Sequence, residues 1–360
     1  MRVVITAGGT GGHIYPAIAI ANKIKEKEPK SEILYIGTHD RMEKDIVPSL
    51  GFKYEEIKIN GFSKSILKNF FNIKLIVKAQ NRCLELIKEF EPDVVVGVGG
   101  YVTYPVIKAS KKMGIPTFIH EQNSIPGRTN RILEKHVDKI GLSLADSKEY
   151  FKYQEKCILT GNPSSESALE IKAIPKTKYG LNHKKKSVLM VQGSLGSTSM
   201  NEKMKDFLTT IDNEAYDVLY ITGKSSYDKF AKNKFSKNVH IVPYVENLAG
   251  LIKDIDVIVS RAGATTIAEI IALQKPSILI PSPYVAHNHQ LYNASSIIKA
   301  NAGEMIEEAD FNATILKEKI NNLLSNEMRY EQIRHNLSKI SISESSTKIY
   351  KILKELSKTK

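Results

Sequence analysis

The chain has 360 residues, 42% of them hydrophobic, which is enough for two domains of ordinary size with real cores. A formal net charge of +13 calls for an anionic partner; with no aromatic-basic alternation, helix-turn-helix signal or zinc spacing, nucleic acid is not expected, whereas an anionic membrane surface or a phosphorylated substrate fits. No stretch approaches the ~18 apolar residues of a spanning helix, the first apolar run breaks into glycines too early for a secretory signal, and Cys83 and Cys157, far apart and without partners at ligand spacing, imply a reduced compartment and no metal.

The first strand, expected over residues 2–6, runs into Ala7-Gly8-Gly9-Thr10-Gly11-Gly12-His13, and Ile14 to Ala21 are then apolar at helical spacing. Glycines let backbone N–H groups crowd a ligand, and a helix N-terminus favours phosphate. Gly9-x-Gly11 is followed by Ile14 where a dinucleotide fingerprint needs its third glycine, and no Gly-Lys-Ser/Thr ending makes a P-loop. The structural alternative is a tight turn with a solvated histidine.

Further strands are expected near 32–36, 53–57, 93–98, 116–119, 138–142 and 156–159, with helices between most of them. From Lys58 to Lys88, seven basic residues face one acid, Glu85, among Phe62, Ile66, Leu67, Phe70, Phe71 and other apolar side chains. That mixture suits a surface resting on anionic lipid or an amphipathic helix packed on the sheet. The strand at 93–98 ends in Gly99-Gly100-Tyr101, a second glycine-ended strand able to line one pocket. The strand at 116–119 leads into His120-Glu121-Gln122-Asn123, a polar run that suits either a catalytic base or loop tethers.

Gly161-Asn162-Pro163 and the Lys- and Pro-bearing stretch 172–186 mark a boundary, giving domains over 1–161 and 162–343. The second restarts with a strand at 187–191 and the loop Gly193-Ser194-Leu195-Gly196-Ser197, then strands near 217–221, 239–242, 256–260 and 277–280. Arg261-Ala262-Gly263-Ala264-Thr265-Thr266 opens a helix whose small residues and hydroxyls suit a pyrophosphate, with Glu269 one turn on to accept from a ribose hydroxyl; in the plainer reading Thr265 caps the helix. Asp254 and Asp256 flank a core-facing Ile255, and His287 and His289 lack a third ligand, so neither pair is read as a metal site. The tail at 344–360 reads as an amphipathic helix folding back on the first domain. Alternating strands and helices make an α/β protein with parallel sheets, and two such domains imply a ligand in the cleft between them.

Gly8 to His13 followed by Pro16, Gly97-Val98-Gly99-Gly100-Tyr101, His120 to Asn123 followed by Pro126-Gly127, Gly161-Asn162-Pro163, and Arg261 to Glu269, in this order, resemble the MurG family. These are UDP-N-acetylglucosamine:lipid I N-acetylglucosaminyltransferases of bacterial cell-wall synthesis. The resemblance implies a GT-B fold, two Rossmann-like domains facing across a cleft, and a peripheral enzyme at the cytoplasmic face of the cell membrane. It implies inverting transfer of N-acetylglucosamine from UDP-GlcNAc to the C4 hydroxyl of MurNAc in lipid I, forming lipid II, without a cofactor. Thr10, Gly11, Gly12 and Asn123 are then donor contacts from the first domain, and Ser194, Val245, Ala264, Thr265, Glu269 and Gln290 from the second. His13 falls on the family's proposed base, with Glu121 a second candidate. The chain departs from the family at Ser164-Ser165, where an arginine is common, at Gln192 in place of a glycine, at Ser197 in place of alanine, and at Thr103-Tyr104 in place of a smaller pair. Alternatives are a nucleotide-sugar epimerase or a glycolipid glycosyltransferase on the same fold, and a nucleotide-binding or membrane-scaffold protein without turnover.

Overall fold

A computed structural model describes residues 1–61, 66–193, 196–212 and 214–359, with the side chains of 66–71 and 73 outside the description. The chain forms two compact units, Met1–Glu166 with Glu344–Lys360, and Ser167–Ser343.

The first unit is built on β1 (Arg2–Thr6), α1 (Gly11–Lys27), β2 (Glu32–Thr38), α2 (Glu43–Ser49), β3 (Lys53–Ile57), α3 (Ile66–Phe90), β4 (Val94–Gly97), α4 (Thr103–Lys112), β5 (Thr117–Glu121), α5 (Arg128–Leu133), β6 (Lys139–Leu142) and β7 (Cys157–Leu159). Its seven strands are all parallel, in the order β3-β2-β1-β4-β5-β6-β7. The order reverses between β1 and β4, so the connections leave the sheet in opposite directions there and open a crevice at the strand carboxyl ends. Both glycine loops, 7–12 and 99–100, lie at that reversal. The central strands are apolar on both faces, as a sheet covered by helices on each side requires: Val3, Val4, Ile5, Val94, Val95 and Val96 are fully buried.

α6 (Pro163–Glu170) carries the chain out of the first unit, and the second unit repeats the plan. It comprises β8 (Lys186–Val191), α7 (Thr198–Thr209), β9 (Tyr216–Ile221), α8 (Tyr227–Phe230), β10 (Val239–Val242), α9 (Leu248–Ile252), β11 (Val257–Ser260), α10 (Ala264–Ala272), β12 (Ser277–Leu279), α11 (His289–Lys299), β13 (Glu304–Met305), α12 (Ala313–Ser325) and α13 (Glu327–Ile340). Its parallel order β10-β9-β8-β11-β12-β13 reverses between β8 and β11. The expected class, two Rossmann-like parallel-sheet domains, is borne out.

The stretch 172–186 has structure of its own. Lys176 is buried, its backbone N–H donating to Asp254 at 2.8 Å and its ammonium to the Lys185 carbonyl. Asp256 accepts from the backbone and hydroxyl of Ser187. Asp254 thus pins this segment, and Asp256, which also pairs with Lys176 at 3.7 Å, holds both the segment and the start of β8. Among the described residues no group of three or more His, Cys, Asp or Glu is placed to hold a metal ion.

The final helix, α14 (Ser345–Leu356), belongs to the first unit. Ile349 and Leu353 are fully buried in one cluster with Ile14, Ala17 and Ile24 of α1. Polar bonds fix its two ends. Glu166 accepts from the N–H and hydroxyl of Thr347 and pairs with the buried Lys23 at 3.1 Å. Glu28 accepts from Tyr350, Lys354 and the terminal ammonium of Met1, which holds its carboxyl down at about 2. Leu353→Ala is expected to cost about 2–5 kcal/mol in urea unfolding through the cavity it leaves; an unshifted midpoint would mean that the tail does not pack on α1.

Candidate functional site

Whether the glycine loop after β1 is open to a phosphate depends on where its backbone amides already point. Gly8 N–H donates to the Gly99 carbonyl at 3.3 Å, and Gly9 N–H to Glu43 Oε2 at 3.2 Å. Glu43 is wholly buried at the start of α2, and its other oxygen accepts from the N–H and hydroxyl of Thr38. A buried carboxylate thus braces the near half of the loop, and Gly9 is unsuited to an anion. The far half differs. Thr10 precedes α1 with extended backbone and caps no N–H by its side chain, so the amides of Gly11 and Gly12 begin the helix without a side-chain cap.

His13 stands one residue on. Its Nδ1 lies 3.1 Å from the Gly8 carbonyl and 3.4 Å from Thr10 Oγ1. A carbonyl can only accept, so Nδ1 carries the hydrogen, and in the neutral ring Nε2 is the basic nitrogen. The ring packs against Gly99, whose φ is +111°, and a Cβ there would come within 2.5 Å of His13 Cδ2. The two glycine-ended strands therefore meet at this imidazole. The measurable consequence is that Gly99→Ala displaces the ring: His13 imidazole resonances shift in an NMR spectrum, while Gly114→Ala, with open space around the added Cβ, leaves them in place. Unmoved resonances in Gly99→Ala would refute the contact.

The polar run after β5 resolves into tethers. His120 is fully buried, with Nε2–H donating to the Gly161 carbonyl at 3.0 Å and Nδ1 accepting from Gln122 at 3.1 Å; burial pushes its pKa down to about 4. Glu121 is 1% exposed, and its two oxygens accept from Asn123 N–H and Nδ2, Gly127 N–H and Asn130 Nδ2 at 2.8–3.1 Å. Four donors converge on this one carboxylate, and through them Glu121 ties together the 121–130 loop. Asn123 is held by it at that loop's rim.

In the second unit α10 starts without any side-chain cap. Its N-cap is Gly263, not Thr265, which lies inside the first turn. The N–H groups of that turn and the Thr265 hydroxyl, buried without a hydrogen-bond partner among the described residues, offer donors to an acceptor. One turn further, the Glu269 carboxyl has no hydrogen-bond or ion-pair partner among the described residues. It is only partly exposed, and desolvation in this dense packing pushes its pKa up to about 7. An unpartnered half-buried carboxylate invites a hydroxyl ligand. Gln290 Oε1 accepts from Ser282 N–H at 2.9 Å, and Val245 is buried beyond β10. Ser194 lies outside the described residues.

Sequence reasoning missed Glu43 and Glu308. Nothing in a lone glutamate on a short helix, or in Glu307-Glu308 ahead of a turn, signals a loop brace.

Two family models match, the glycosyltransferase family 28 N-terminal domain over residues 3–142 and the glycosyltransferase family 28 C-terminal domain over residues 187–354. The chain is 41% identical to a Bacillus cytotoxicus protein, UDP-N-acetylglucosamine--N-acetylmuramyl-(pentapeptide) pyrophosphoryl-undecaprenol N-acetylglucosamine transferase, over 99% of this chain and 100% of that one. Its fold is similar to the crystal structure of Acinetobacter baumannii MurG, with a TM-score of 0.79 at 23% identity, covering 98% and 99% of the two chains. It is also similar to a Neisseria meningitidis UDP-GlcNAc 2-epimerase bound to UDP-GlcNAc, with a TM-score of 0.69 at 16% identity over 99% and 100%.

Proposed function

The chain belongs to the MurG family within glycosyltransferase family 28, and on that premise we propose how its residues carry out the transfer. It is an N-acetylglucosaminyltransferase that moves GlcNAc from UDP-GlcNAc to lipid I, making lipid II for peptidoglycan. The carrying observation is full-length identity of 41% to a transferase of that name; the epimerase likeness, at 16% identity, extends to the fold alone.

Donor binding is assigned to Ala264, Thr265, Glu269, Gln290, Val245 and Ser194 in the second unit, with Thr10, Gly11, Gly12 and Asn123 in the first. Uncapped amides at the start of α10 and the unpartnered Thr265 hydroxyl support a diphosphate there, because both offer donors to a group that only accepts. Glu269 is the reverse case, a carboxylate offering acceptors to the ribose hydroxyls.

UDP leaves readily once its phosphates are stabilised by such donors, so little covalent help is needed. The acceptor C4 hydroxyl attacks the anomeric carbon from the face opposite UDP, inverting it, and must lose a proton as it does so. His13 is assigned as the base: Nδ1–H on the Gly8 carbonyl leaves Nε2 as the accepting nitrogen. Glu121, saturated by four N–H donors, is assigned to holding Asn123 in place.

A lipid-linked acceptor supports work at a membrane surface, and we read the enzyme as peripheral on the cytoplasmic face. Lys74, Val77 and Lys78, all exposed on α3, support contact with anionic lipid, while Cys83, Leu86 and Ile87 of the same helix pack on the sheet. The more apolar residues Phe62 to Ile73, apart from Asn72, lie outside the described side chains. Among the described residues no helix is long and apolar enough to cross a membrane.

Release of UDP from UDP-GlcNAc only when a lipid I analogue is added tests the reaction; release of the epimeric sugar without acceptor would contradict it. His13→Ala should keep UDP binding while turnover falls roughly 100- to 10,000-fold, and an unchanged rate would remove His13 from the mechanism.

Glu269 gives the donor site a pH dependence. Its raised pKa of about 7 means that the carboxylate form, which alone accepts two hydroxyl donors, fills in as pH rises through neutrality. UDP-GlcNAc affinity measured by calorimetry should tighten about tenfold from pH 6 to pH 8, and Glu269→Gln, which cannot ionise, should flatten the profile. An equally steep profile in that variant would move the titration elsewhere.

A further inference from the structure

The helix that follows the second glycine loop is not left to find its own orientation. Ser197, the N-cap of α7, accepts from Met200 N–H and from Arg261 Nη2 at 3.1 Å. Arg261 leaves β11 with 5% exposure, and its Nη1 donates to the Ile280 carbonyl at 3.1 Å. Against it stands Glu308, 4% exposed beyond β13, with Oε2 at 2.7 Å from Arg261 Nη2 but off the N–H direction, so that the contact is an ion pair rather than an aligned hydrogen bond. The other oxygen of Glu308 accepts from Ser199 Oγ at 3.1 Å, and its backbone carbonyl from Lys203.

We propose that Glu308 is a positioning residue for the donor subsite, a neutral strut with Arg261 that fixes the first turn of α7 and the turn of chain from Gly196 to Ser199. The proposal rests on the donor reading given above.

Three features carry it. First, the pair joins the carboxyl ends of β8, β11, β12 and β13 through one carboxylate, and those ends are where open parallel sheets bind ligands. Second, its bonds bracket Thr198, the first residue of α7: Ser197 on one side and Ser199 on the other are both tied down, so the first-turn amides have one available direction. Gly196 is fixed as well, with φ +77° and its Cα against the Thr222 carbonyl, where a Cβ would overlap. Third, the charges cancel. An isolated carboxylate beneath a diphosphate would repel it, whereas Arg261 is engaged by Glu308, Ser197 and Ile280 and is buried away from solvent. The strut therefore orients without adding net charge, and donor phosphate is left to backbone amides.

The sequence prepares this poorly. Arg261 is conspicuous in Arg-Ala-Gly, but its counter-charge comes 47 positions later at Glu308, and only the sheet order brings them together.

Four proteins test it: wild type, Ser199→Ala, Glu308→Gln and the double variant, each assayed for UDP affinity by calorimetry, KM and kcat for UDP-GlcNAc, and melting temperature. Ser199→Ala removes the hydroxyl that bonds Glu308 and also meets Ser197 Oγ at 3.1 Å, and it leaves the ion pair intact, so melting should hold while KM and the UDP dissociation constant rise about threefold to tenfold and kcat stays within about twofold. Ser199→Thr, which keeps a hydroxyl, should restore the wild-type KM. Glu308→Gln leaves a buried guanidinium without counter-charge and should lower the melting temperature as well as donor affinity. If Ser199 acts through Glu308, the double variant is no weaker toward UDP than Glu308→Gln alone. Unchanged affinity in Ser199→Ala, or fully additive losses in the double variant, overturns the proposal. Failure of the wild type itself to bind UDP would overturn the donor reading and the strut with it, a result distinguishable because it does not depend on any substitution.

Discussion

Parallel strands force every connection to leave its sheet at one edge and every following helix to begin there with unpaired N–H groups. That constraint organises both units. Where the strand order reverses, between β1 and β4 and between β8 and β11, the connections leave in opposite directions and open a crevice. α1 and α10 both start beside a reversal, both without a capping side chain. By contrast α12 and α13, remote from the reversals in sequence and role, have Asn312 and Asn326 accepting from their first-turn amides. Capping alone does not mark the crevices, since α2, α4 and α5 also start without a side-chain cap and α7, which follows β8 at the second reversal, is capped by Ser197.

Buried carboxylates do the remaining organisation. Glu43 braces Gly9, Glu121 folds the loop to Gly127, Glu166 anchors α14 and Glu308 holds α7, and each is surrounded by N–H, hydroxyl or cationic partners. A buried carboxylate without partners is costly, so a satisfied one marks a fixed piece of architecture. Glu269 breaks the pattern, since its raised pKa comes from desolvation with no compensating bond. The departure from the rule followed by its four counterparts singles it out as a group waiting for a partner.

Much of this was legible in the residues. Strands were recognisable because continuous apolar runs such as Val94-Val95-Val96 can only be buried on both faces, and the glycine loops because they end those runs. β13 escaped, being two residues, Glu304 and Met305, with no periodicity to read. The site was legible where local chemistry shows itself: Thr10 to His13 sit together in sequence and in space. It was illegible where a long-range contact decides the role. Glu121 reads equally as a base or as a loop tether, and the donor that ties it to the loop, Asn130, stands nine positions on. Thr265 reads as a cap until the helix is found to start before it. The structural use of Asp254 was hidden for the same reason, because its partner Lys176 arrives from a stretch that looks like a linker.

The departures from the family pattern bear on how the donor's charge is met. At Ser164-Ser165, where an arginine is common, both serines are over nine-tenths buried and Ser164 N–H donates to the Asn162 side chain, so this position supplies no cation. At Gln192, in place of a glycine, the carboxamide is 2% exposed and both its polar atoms lack a hydrogen-bond partner among the described residues. The chain thus tolerates a side chain there at the cost of burying polar atoms, without adding charge. With Arg261 neutralised by Glu308 as well, no cation named at these positions is left to balance two phosphates. On the donor reading proposed above, stabilisation then rests on oriented backbone dipoles, which need no counter-ion and keep their strength in a site sheltered from water. For such a site the angle of a helix matters more than the presence of a charge, and that is why residues that touch no ligand, such as those under α7, carry weight in the chemistry.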